Sequence, residues 1–269
     1  MRGLGFMIPY FVINQISLGP VKLYIWGLFA GLGFSVGYLL FYYLARKENL
    51  APKKIAGLAV AIFFGAISGA WVLARLTAGG GAAFMGGLIG AILFGWAYME
   101  KAKIPFWKTA DLFVLPMALG IGIGRIGCIL INDHQGAPTN LPWGILWPDG
   151  ISRHPMGIYE SLVGFGLLAV FWFLQKKIKN MSLRAERSNS VDAAVSRDRH
   201  APAGLTMTDG LFFLLFLISY SAIRFFLEFI RVSSGPLADP RWGILSVSQW
   251  IAVVIFSISL LLLIYKKKC

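Results

Sequence analysis

The sequence predicts an all-α, polytopic membrane protein of about seven transmembrane helices, with the N-terminus outside and the C-terminus cytoplasmic. Three observations support this fold class. The composition is 57% hydrophobic and only 14% charged, with a mean hydropathy of +0.70, whereas a soluble domain usually holds roughly 25% charged residues. The apolar residues are collected in runs long enough to cross a bilayer. The basic residues are concentrated in alternate gaps between these runs, as expected for cytoplasmic loops.

Seven apolar runs account for the predicted transmembrane helices. Because a helix rises 1.5 Å per residue, about 20 apolar residues cross the hydrocarbon core. Only the third run is marginal in length, and its glycines Gly86, Gly87 and Gly90 predict close packing against a neighbouring helix. In chain order the runs are 23–45, 55–76, 83–99, 110–131, 155–175, 209–230 and 246–265.

The basic clusters determine the predicted orientation. They follow the first, third, fifth and seventh runs and contain 17 of the 25 Lys and Arg residues, so these gaps are predicted to be cytoplasmic. The same pattern argues against a nucleic-acid partner, which the net charge of +13 alone would suggest. The clusters lie at 46–54, 101–108, 176–199 and 266–268.

A single transmembrane domain, 1–269, is predicted. Segment 180–205 lacks an apolar period and is rich in Ser, Arg, Ala and Asp, so it is predicted to be a flexible cytoplasmic insertion. Segments 1–22, 132–154 and 232–245 are predicted to lie outside. The N-terminus lacks the layout of a cleaved signal peptide, so the first run is expected to remain in the membrane.

Arg125 lies late in the fourth run, within the glycine-rich stretch 120–128 (GIGIGRIGC). A charge at the bilayer centre costs roughly 2.5–3.5 kcal/mol on insertion scales, so such a residue is informative. The stretch is not a dinucleotide-binding loop, because no strand precedes it. Either Arg125 snorkels to the outer interface, or it forms a functional site with the polar residues that follow, Asn132, Asp133 and His134.

The sixth run carries four polar side chains whose spacing places them on one face of a helix. They are Tyr220, Arg224, Glu228 and Arg231. Two interpretations are open. Arg224 and Glu228 form an internal ion pair, or Arg224 joins Arg125 in a cationic pocket. Such a pocket suits a phosphate group, which guanidinium groups bind with bidentate geometry.

The fifth run opens with residues 153–160 (RHPMGIYE). Pro155 suits a helix start, where its missing N–H would be unpaired in any case. His154 is predicted to be accessible from outside and to titrate near neutral pH. Glu160 is predicted to lie about one turn deeper. A lone interfacial histidine is more often structural than catalytic, and both interpretations stay open for His154.

Four motifs occur in order along the chain: 84–90 (FMGGLIG), 124–136 (GRIGCILINDHQG), 153–160 (RHPMGIYE) and 220–231 (YSAIRFFLEFIR). Together they resemble the bacterial prolipoprotein diacylglyceryl transferases. The resemblance covers nearly the whole chain apart from the predicted insertion. It implies seven transmembrane helices with the N-terminus outside, which the basic clusters also predict.

The resemblance implies a transferase of the bacterial cytoplasmic (inner) membrane. Such an enzyme moves the diacylglyceryl group of phosphatidylglycerol to the thiol of a lipobox cysteine in a preprolipoprotein, and glycerol phosphate leaves. The expected partners are phosphatidylglycerol, a preprolipoprotein lipobox peptide and membrane lipid, with no nucleic acid. No metal or organic cofactor is expected, since the reaction needs only positioning, charge stabilisation and proton transfer.

On the family pattern, Arg125 and Arg224 hold the phosphate, and Gly136 closes the signature turn. Paired arginines in a dry cavity would stabilise the charge that develops on the leaving group. The catalytic residues that the resemblance implies are Arg125, Arg224, Asp133, His154 and Tyr220. The substrate-binding residues that it implies are Gly86, Gly87, Asn132, Gly136, Tyr159, Glu160 and Glu228.

The sequence departs from the family pattern at several positions, and the family's HP(S/T)QLYE reads HPMGIYE over residues 154–160. Met85 replaces the family's histidine, Cys128 its asparagine, Asp133 its glutamate and Trp26 its tyrosine. A thiol must lose its proton to become a nucleophile, and a thioether cannot usefully accept that proton. The candidate acceptors are His154, His134 and Asp133.

The departures from the family pattern leave a second hypothesis. It is a catalytically lapsed relative that binds phosphatidylglycerol or a lipoprotein without transfer, because phosphate binding requires only the arginines. A third class, a small transporter or channel, is opposed by the lack of a convincing internal repeat.

Overall fold

The computed structural model describes residues 7–77, 80–195, 209–233 and 241–268. Helices dominate this part of the chain, and each corresponds to one predicted apolar run. They are α1 (Ile25–Lys47), α2 (Pro52–Thr77), α3 (Gly80–Ala102), α4 (Phe106–Ile131), α5 (Met156–Val195), α6 (Leu211–Leu227) and α7 (Val247–Lys268).

Within the described residues, six helices are long and apolar enough to cross a membrane, namely all except α3. Helix α3 has 23 residues and corresponds to the run that was predicted to be marginal in length. The prediction of an all-α, polytopic membrane fold is therefore confirmed, with six spans by this criterion where about seven were expected. The orientation of the termini stays a prediction.

The chain divides within α1 and α4 into two compact units. The first comprises Met1–Gly37 and Val114–Cys269, and the second comprises Tyr38–Phe113. In the second unit, α2 and α3 pack through paired glycines. A Cβ atom on Gly86 would overlap the carbonyl oxygen of Gly69, and one on Gly90 would overlap that of Gly65. The predicted close packing of α3 against a neighbour is confirmed, because only glycine allows these backbones to approach so closely.

In the first unit, α4 and α5 cross at a similar contact. A Cβ atom on Gly164 would lie 2.7 Å from the Cα atom of Gly122 and 3.1 Å from the carbonyl oxygen of Ala118. One turn away, the Ser161 hydroxyl donates a hydrogen bond of 2.9 Å to the Gly122 carbonyl. The crossing therefore fixes the two helices relative to one another at Gly122 and Gly164.

Short strands cover one end of the first unit. They are β1 (Ile8–Pro9), β2 (Gln15–Leu18), β3 (Val21–Tyr24), β4 (Gln135–Pro138), β5 (Ile145–Leu146), β6 (Ser152–Pro155), β7 (Arg241–Trp242) and β8 (Leu245–Ser246). Four of them form a sheet in the order β1-β5-β6-β4, in which β1 and β5 are parallel. The hairpins β2–β3 and β7–β8 lead directly into α1 and α7.

The structure differs from the sequence prediction in two segments. Segment 132–154 was predicted as a loop and contains β4, β5 and most of β6, which have two to four residues each and are too short to show an alternating pattern. Helix α5 continues to Val195, so residues 180–195 are helical where a flexible insertion was predicted. Residues 196–205 lie outside the described part of the chain.

Candidate functional site

The α4–α5 crossing brings Arg125 and Glu160 together. Arg125 lies about one turn after Gly122, and Glu160 lies about one turn before Gly164. The Arg125 Nη1 atom lies 2.7 Å from Glu160 Oε2, and the glutamate side chain is only 4% exposed. A buried carboxylate needs a positive partner, because its desolvation costs several kcal/mol otherwise. Arg125 is therefore a component of an internal ion pair rather than a side chain that simply snorkels to the interface.

Helix α6 and the 3₁₀ turn that follows it, Glu228–Ile230, supply the other charges. Arg224 Nη1 donates a hydrogen bond of 2.6 Å to Glu228 Oε2. The same carboxylate oxygen lies 3.7 Å from Arg231 Nη1, and Arg224 Nη1 also lies 3.9 Å from Glu160 Oε1. The predicted ion pair of Arg224 and Glu228 is present, and it continues into Arg125 through Glu160. Arg224 therefore both pairs with Glu228 and belongs to the same cluster as Arg125, so the two interpretations of this run do not exclude one another.

His134 closes the cluster into a ring. Its Nε2 atom lies 3.2 Å from Arg125 Nη1, and its Nδ1 atom lies 3.0 Å from Arg231 Nη2. We call this set of six side chains the charge ring. Its members, in order of contact, are Arg125, Glu160, Arg224, Glu228, Arg231 and His134.

His134 is the neutral member of the charge ring. Burial lowers its pKa from 6.5 to about 3, and the nearby guanidinium groups of Arg231, Arg125 and Arg224 contribute to the shift in the same direction. Because the imidazole is unprotonated, the charge of the ring comes from its three arginines and two glutamates. These sum to one net positive charge. A site of this charge favours a monoanion such as a phosphodiester.

Two backbone contacts place His134 next to Arg231. Gly136 in β4 forms an antiparallel bridge with Arg231, and the amide of Val232 donates a hydrogen bond of 3.1 Å to the carbonyl of Gln135. A Cβ atom on Gly136 would overlap the backbone of His154 in β6. Gly136 is thus required where β4 approaches both β6 and the end of α6. Its predicted role in closing the signature turn stays a prediction.

Asp133 and Cys128 border the charge ring on the α4 side. Asp133 Oδ1 lies 3.7 Å from His134 Nε2, and partial burial raises the pKa of the Asp133 carboxyl group above its ordinary value despite the nearby Arg125. The thiol of Cys128 lies 3.9 Å from Arg125 Nη1 and is buried. The side chain that replaces the family's asparagine therefore faces the arginine.

A sulfur, a carboxylate oxygen and an imidazole nitrogen from Cys128, Asp133 and His134 lie within 4.8 Å of one another. Zinc takes these three donor types. Arg125, however, places its guanidinium group 3.9 Å from the sulfur and 3.2 Å from the imidazole nitrogen, and a fixed positive charge at that distance opposes a cation. The arrangement fits an anion better than a metal ion.

Tyr220 and Asn132 are two further residues that were predicted for the site. Tyr220 lines a narrow cavity together with Glu160 and Arg224, and its ring stacks on Phe216 at a centroid distance of 6.1 Å. Asn132 directly follows α4 and lies in the left-handed region, with φ of 49°. Its buried Nδ2 atom has no hydrogen-bond partner in the described part of the chain, so it is available to a ligand.

His154 and Tyr159 form a separate chain of hydrogen bonds. The indole N–H of Trp143 donates to the Tyr159 hydroxyl at 2.8 Å, and that hydroxyl lies 3.1 Å from His154 Nδ1. Burial lowers the pKa of His154. Among the described residues, no hydrogen bond or ion pair joins His154 to an arginine of the charge ring. The structure therefore does not bring His154 into the cluster with the other predicted catalytic residues.

Four positions singled out in the sequence have other surroundings. Gly86 and Gly87 lie on α3 in the second unit, where packing against Gly69 accounts for Gly86. A role of these glycines in substrate binding stays a prediction. Met85 is also on α3, and Trp26, on α1, is 53% exposed.

Two members of the charge ring were not in the predicted site. Arg231 was recognised only because its spacing places it on the helix face of Arg224 and Glu228. His134 was recognised only as one of three possible bases. Its contact with Arg231 joins residues 97 positions apart and depends on the Gly136 bridge, for which the sequence carries no local signal.

The fold and the charge ring define a polytopic membrane protein with a partly buried, net positive cluster suited to an anionic ligand. Comparison with known families makes the assignment specific. The sequence profile of the prolipoprotein diacylglyceryl transferases matches residues 13–265, and the chain belongs to this family. The predicted resemblance is confirmed.

Several curated relatives share the name phosphatidylglycerol–prolipoprotein diacylglyceryl transferase. The protein of Solidesulfovibrio magneticus is 27% identical over 95% of this chain and 96% of its own length. That of Finegoldia magna is 29% identical over 94% of both chains. The protein of Clostridioides difficile is 35% identical over 59% of this chain and 54% of its own length. The similarity therefore extends along nearly the whole chain.

Proposed function

We propose that this protein transfers the diacylglyceryl group of phosphatidylglycerol to the thiol of a lipobox cysteine in a preprolipoprotein. The single observation that carries the proposal is the charge ring, in a chain whose family and relatives bear the name of this reaction. A bacterial cytoplasmic membrane is the location at which such an enzyme would meet both substrates. The charge pattern of the loops supports an N-terminus outside and a cytoplasmic C-terminus.

The arginines of the charge ring hold the phosphate in this proposal. Arg125 and Arg224 both contact Glu160, so a phosphodiester that bridges the two arginines lies inside the buried cluster. As the bond between the glyceryl carbon and the phosphate oxygen breaks, the phosphate goes from one negative charge towards two. Preorganised guanidinium groups at low local dielectric stabilise this developing charge, and Tyr220 lines the same cavity.

The proton balance of the reaction requires an acceptor. The sulfur forms a bond to the glyceryl carbon, the electron pair of the carbon–oxygen bond stays on the departing glycerol phosphate, and the thiol proton goes to a base. His134 is unsuited to this task, because protonation would add a positive charge between Arg125 and Arg231, which contact its two nitrogens. The low pKa of His134, about 3, has this cause together with burial.

His154 is also a poor acceptor. The Tyr159 hydroxyl accepts a hydrogen bond from Trp143, and it donates its own hydrogen to His154 Nδ1 when that nitrogen is the unprotonated one. In this tautomer Nε2 already carries a proton. The one basic nitrogen of His154 is then engaged with Tyr159, in a hydrogen-bond chain separate from the charge ring.

Asp133 is the remaining candidate, and we assign the proton to it. Its carboxylate borders the charge ring through His134. Burial raises the pKa of the Asp133 carboxyl group, which makes it a better base at neutral pH. Gain of a proton takes its charge from minus one to zero while the phosphate gains one negative charge, so the total charge of the site is unchanged during the reaction.

The proposal is tested with purified protein in detergent, labelled phosphatidylglycerol and a synthetic lipobox peptide. We expect a thioether-linked diacylglyceryl peptide and an equal amount of glycerol phosphate, both lost in Arg125→Ala. Arg153→Ala is the matched control, since Arg153 pairs with the exposed Asp149 at 2.7 Å instead. Absence of product from a wild-type sample that still binds phosphatidylglycerol would contradict transfer. It would indicate a lapsed relative, with Met85 and Cys128 as the first departures to examine.

A further inference from the structure

The carboxylate of Glu160 has unused hydrogen-bonding capacity. The residue is 4% exposed, and neither of its oxygens accepts a hydrogen bond within the described part of the chain. Its contacts with Arg125 at 2.7 Å and Arg224 at 3.9 Å are ion pairs that lack hydrogen-bond geometry. Ionised carboxylates offer about four lone-pair sites. Buried polar atoms nearly always have a hydrogen-bond partner, so the Glu160 carboxylate is suited to accept hydrogen bonds from a ligand.

Glu228 shows that this feature is not a general property of the charge ring. Its side chain is equally buried, at 3% exposed, but its Oε2 atom accepts a hydrogen bond of 2.6 Å from Arg224. Glu160 and Glu228 thus carry the same charge in the same cluster, and only Glu160 lacks hydrogen bonds among the described residues. This difference makes Glu228 a natural control.

The Glu160 carboxylate lines a cavity of about 10 Å³, which has room for a single group the size of a water molecule or a hydroxyl. Glu160, Tyr220 and Arg224 line the polar side of a narrow cavity, and the rest of its wall is apolar. The apolar residues are Ile121, Val163 and Leu227. A group in this cavity would meet the carboxylate and a guanidinium group at once.

The chemistry of the surroundings selects the kind of donor. A phosphodiester has only acceptor oxygens, and its negative charge is repelled by the carboxylate, so it does not satisfy Glu160 itself. An ammonium group would donate hydrogen bonds, but Arg125 and Arg224 adjoin the same carboxylate and repel a cation. A hydroxyl group is a neutral donor and meets neither objection.

We propose that Glu160 recognises hydroxyl groups attached close to the phosphate, so that the site selects a glycerol headgroup over a headgroup without hydroxyls. The inference rests on the proposed function, in which the phosphate lies on Arg125 and Arg224, the two residues that contact Glu160. The glycerol of phosphatidylglycerol carries two hydroxyl groups a few bonds from its phosphate. Free glycerol phosphate, the leaving group, presents the same chemistry.

The test measures displacement of a fluorescent phosphatidylglycerol from the full-length protein in detergent. The competitors are sn-glycerol 1-phosphate, propyl phosphate and inorganic phosphate, and a second series compares phosphatidylglycerol with its dideoxy analogue, phosphatidylpropanol. Loss of a hydrogen bond to a buried charged group lowers affinity about 10- to 100-fold, so we expect glycerol phosphate to exceed propyl phosphate by that factor. The lipid series shows whether the intact headgroup is selected in the same way as the free product.

The matched variants are Glu160→Gln and Glu228→Gln, which remove the same charge from the charge ring. We expect Glu160→Gln to reduce the preference for glycerol phosphate over propyl phosphate to within about threefold, and Glu228→Gln to retain it. Equal affinity of the wild-type protein for the two competitors would overturn the inference, and this comparison needs no variant to fold. An undiminished preference in Glu160→Gln would also overturn it. Discrimination without any transfer to the lipobox peptide would support this inference and refute the proposed function.

Discussion

At the scale of single residues, the central feature is a histidine held between two arginines. A neutral imidazole has only one acceptor nitrogen, yet Arg125 and Arg231 approach the two nitrogens of His134 at 3.2 and 3.0 Å. At most one of these contacts is therefore an N–H···N hydrogen bond. If Nδ1 accepts from Arg231, the proton on Nε2 is directed to the side of Asp133, whose Oδ1 lies 3.7 Å away. His134 would then orient the carboxylate that we assign as proton acceptor.

The lowered pKa of His134 predicts a pH dependence of stability. The folded protein holds this histidine neutral down to about pH 3, whereas the unfolded chain protonates it below about pH 6.5. The unfolding free energy should therefore decrease by up to about 1.4 kcal/mol per pH unit as the pH falls from 6.5. We expect His134→Gln to lose this component of the slope in unfolding measurements in mixed micelles. Parallel plots of unfolding free energy against pH for the wild type and His134→Gln would contradict this prediction, because they would show that folding does not lower the pKa of His134.

The assignment of Asp133 predicts a pH-dependent defect. Removal of a general base typically costs 10²–10⁴-fold, so Asp133→Asn should lower kcat by about that factor at pH 7 while it leaves the affinity for phosphatidylglycerol within about threefold. Because thiolate then forms only by ionisation in solution, the variant's rate should rise about tenfold per pH unit up to the thiol pKa near 8.5. Arg125, Arg231, Glu160 and His134 surround Asp133 and are unchanged in the variant.

Three further observations separate a base from a structural residue at position 133. Asp133→Glu, which restores the family's residue, should keep at least about a tenth of the activity. Asp149→Asn should change nothing, because Asp149 is on the surface and pairs with Arg153. A rate of Asp133→Asn that stays low and flat from pH 7 to 9 would refute the assignment.

At the scale of elements, the crossing of α4 and α5 determines the position of the first ion pair. Gly164 lies against Gly122 and Ala118 so closely that a Cβ atom would touch their backbones. Arg125 and Glu160 flank this contact by about one turn on their respective helices. A larger separation of the helices would lengthen the 2.7 Å contact between the two side chains. The packing of small residues and the geometry of the charge ring are therefore coupled.

A methyl group at Gly164 tests this coupling. In Gly164→Ala the new Cβ atom would lie 2.7 Å from the Cα atom of Gly122, so the helices must separate. We expect a loss of transfer activity of at least about tenfold and a lower unfolding temperature, since overpacking typically costs about 1–3 kcal/mol. Gly166→Ala is the control on the same helix, because a Cβ atom there has nothing within 4 Å. Equal behaviour of the two variants would mean that the crossing does not control the site.

The sequence predicts the helices well and the segments that connect them poorly. Long apolar runs locate α1 to α7 because the bilayer requires about 20 apolar residues for each span, and the glycines of the third run correctly predict its close packing. The spacing of Arg224 and Glu228 predicts their pairing by helical geometry alone. The short strands leave no such pattern. The position of His134 follows from the bridge between Gly136 and Arg231, which is a tertiary contact.

At the scale of the whole molecule, the charges are distributed in two ways. A small number are buried in the charge ring, where five ionised side chains offset one another. Most of the basic residues lie instead in alternate gaps between spans, and 17 of 25 do so. The first distribution serves the site, and the second sets the predicted orientation in the membrane. The net charge of +13 therefore does not describe the surface that faces a substrate.

The predicted orientation is checked with reporter fusions. We expect a fluorescent protein fused after residue 269 to be bright and alkaline phosphatase at the same position to be inactive, because positively charged loops remain cytoplasmic. Alkaline phosphatase inserted after Asp149, in the segment that joins α4 and α5, should be active. The reverse pattern would place the charge ring near the cytoplasmic face and away from an external acceptor.

The central claim is that the charge ring binds the phosphate of an anionic lipid. Its most direct test is the affinity of wild type and Arg224→Gln for phosphatidylglycerol and for zwitterionic phosphatidylethanolamine, with Arg153→Gln as control. Loss of a hydrogen-bonded charge pair in a buried site costs about 2–5 kcal/mol. We therefore predict a decrease of at least about 30-fold for phosphatidylglycerol and a much smaller change for phosphatidylethanolamine. Equal losses for the two lipids in Arg224→Gln would contradict the claim.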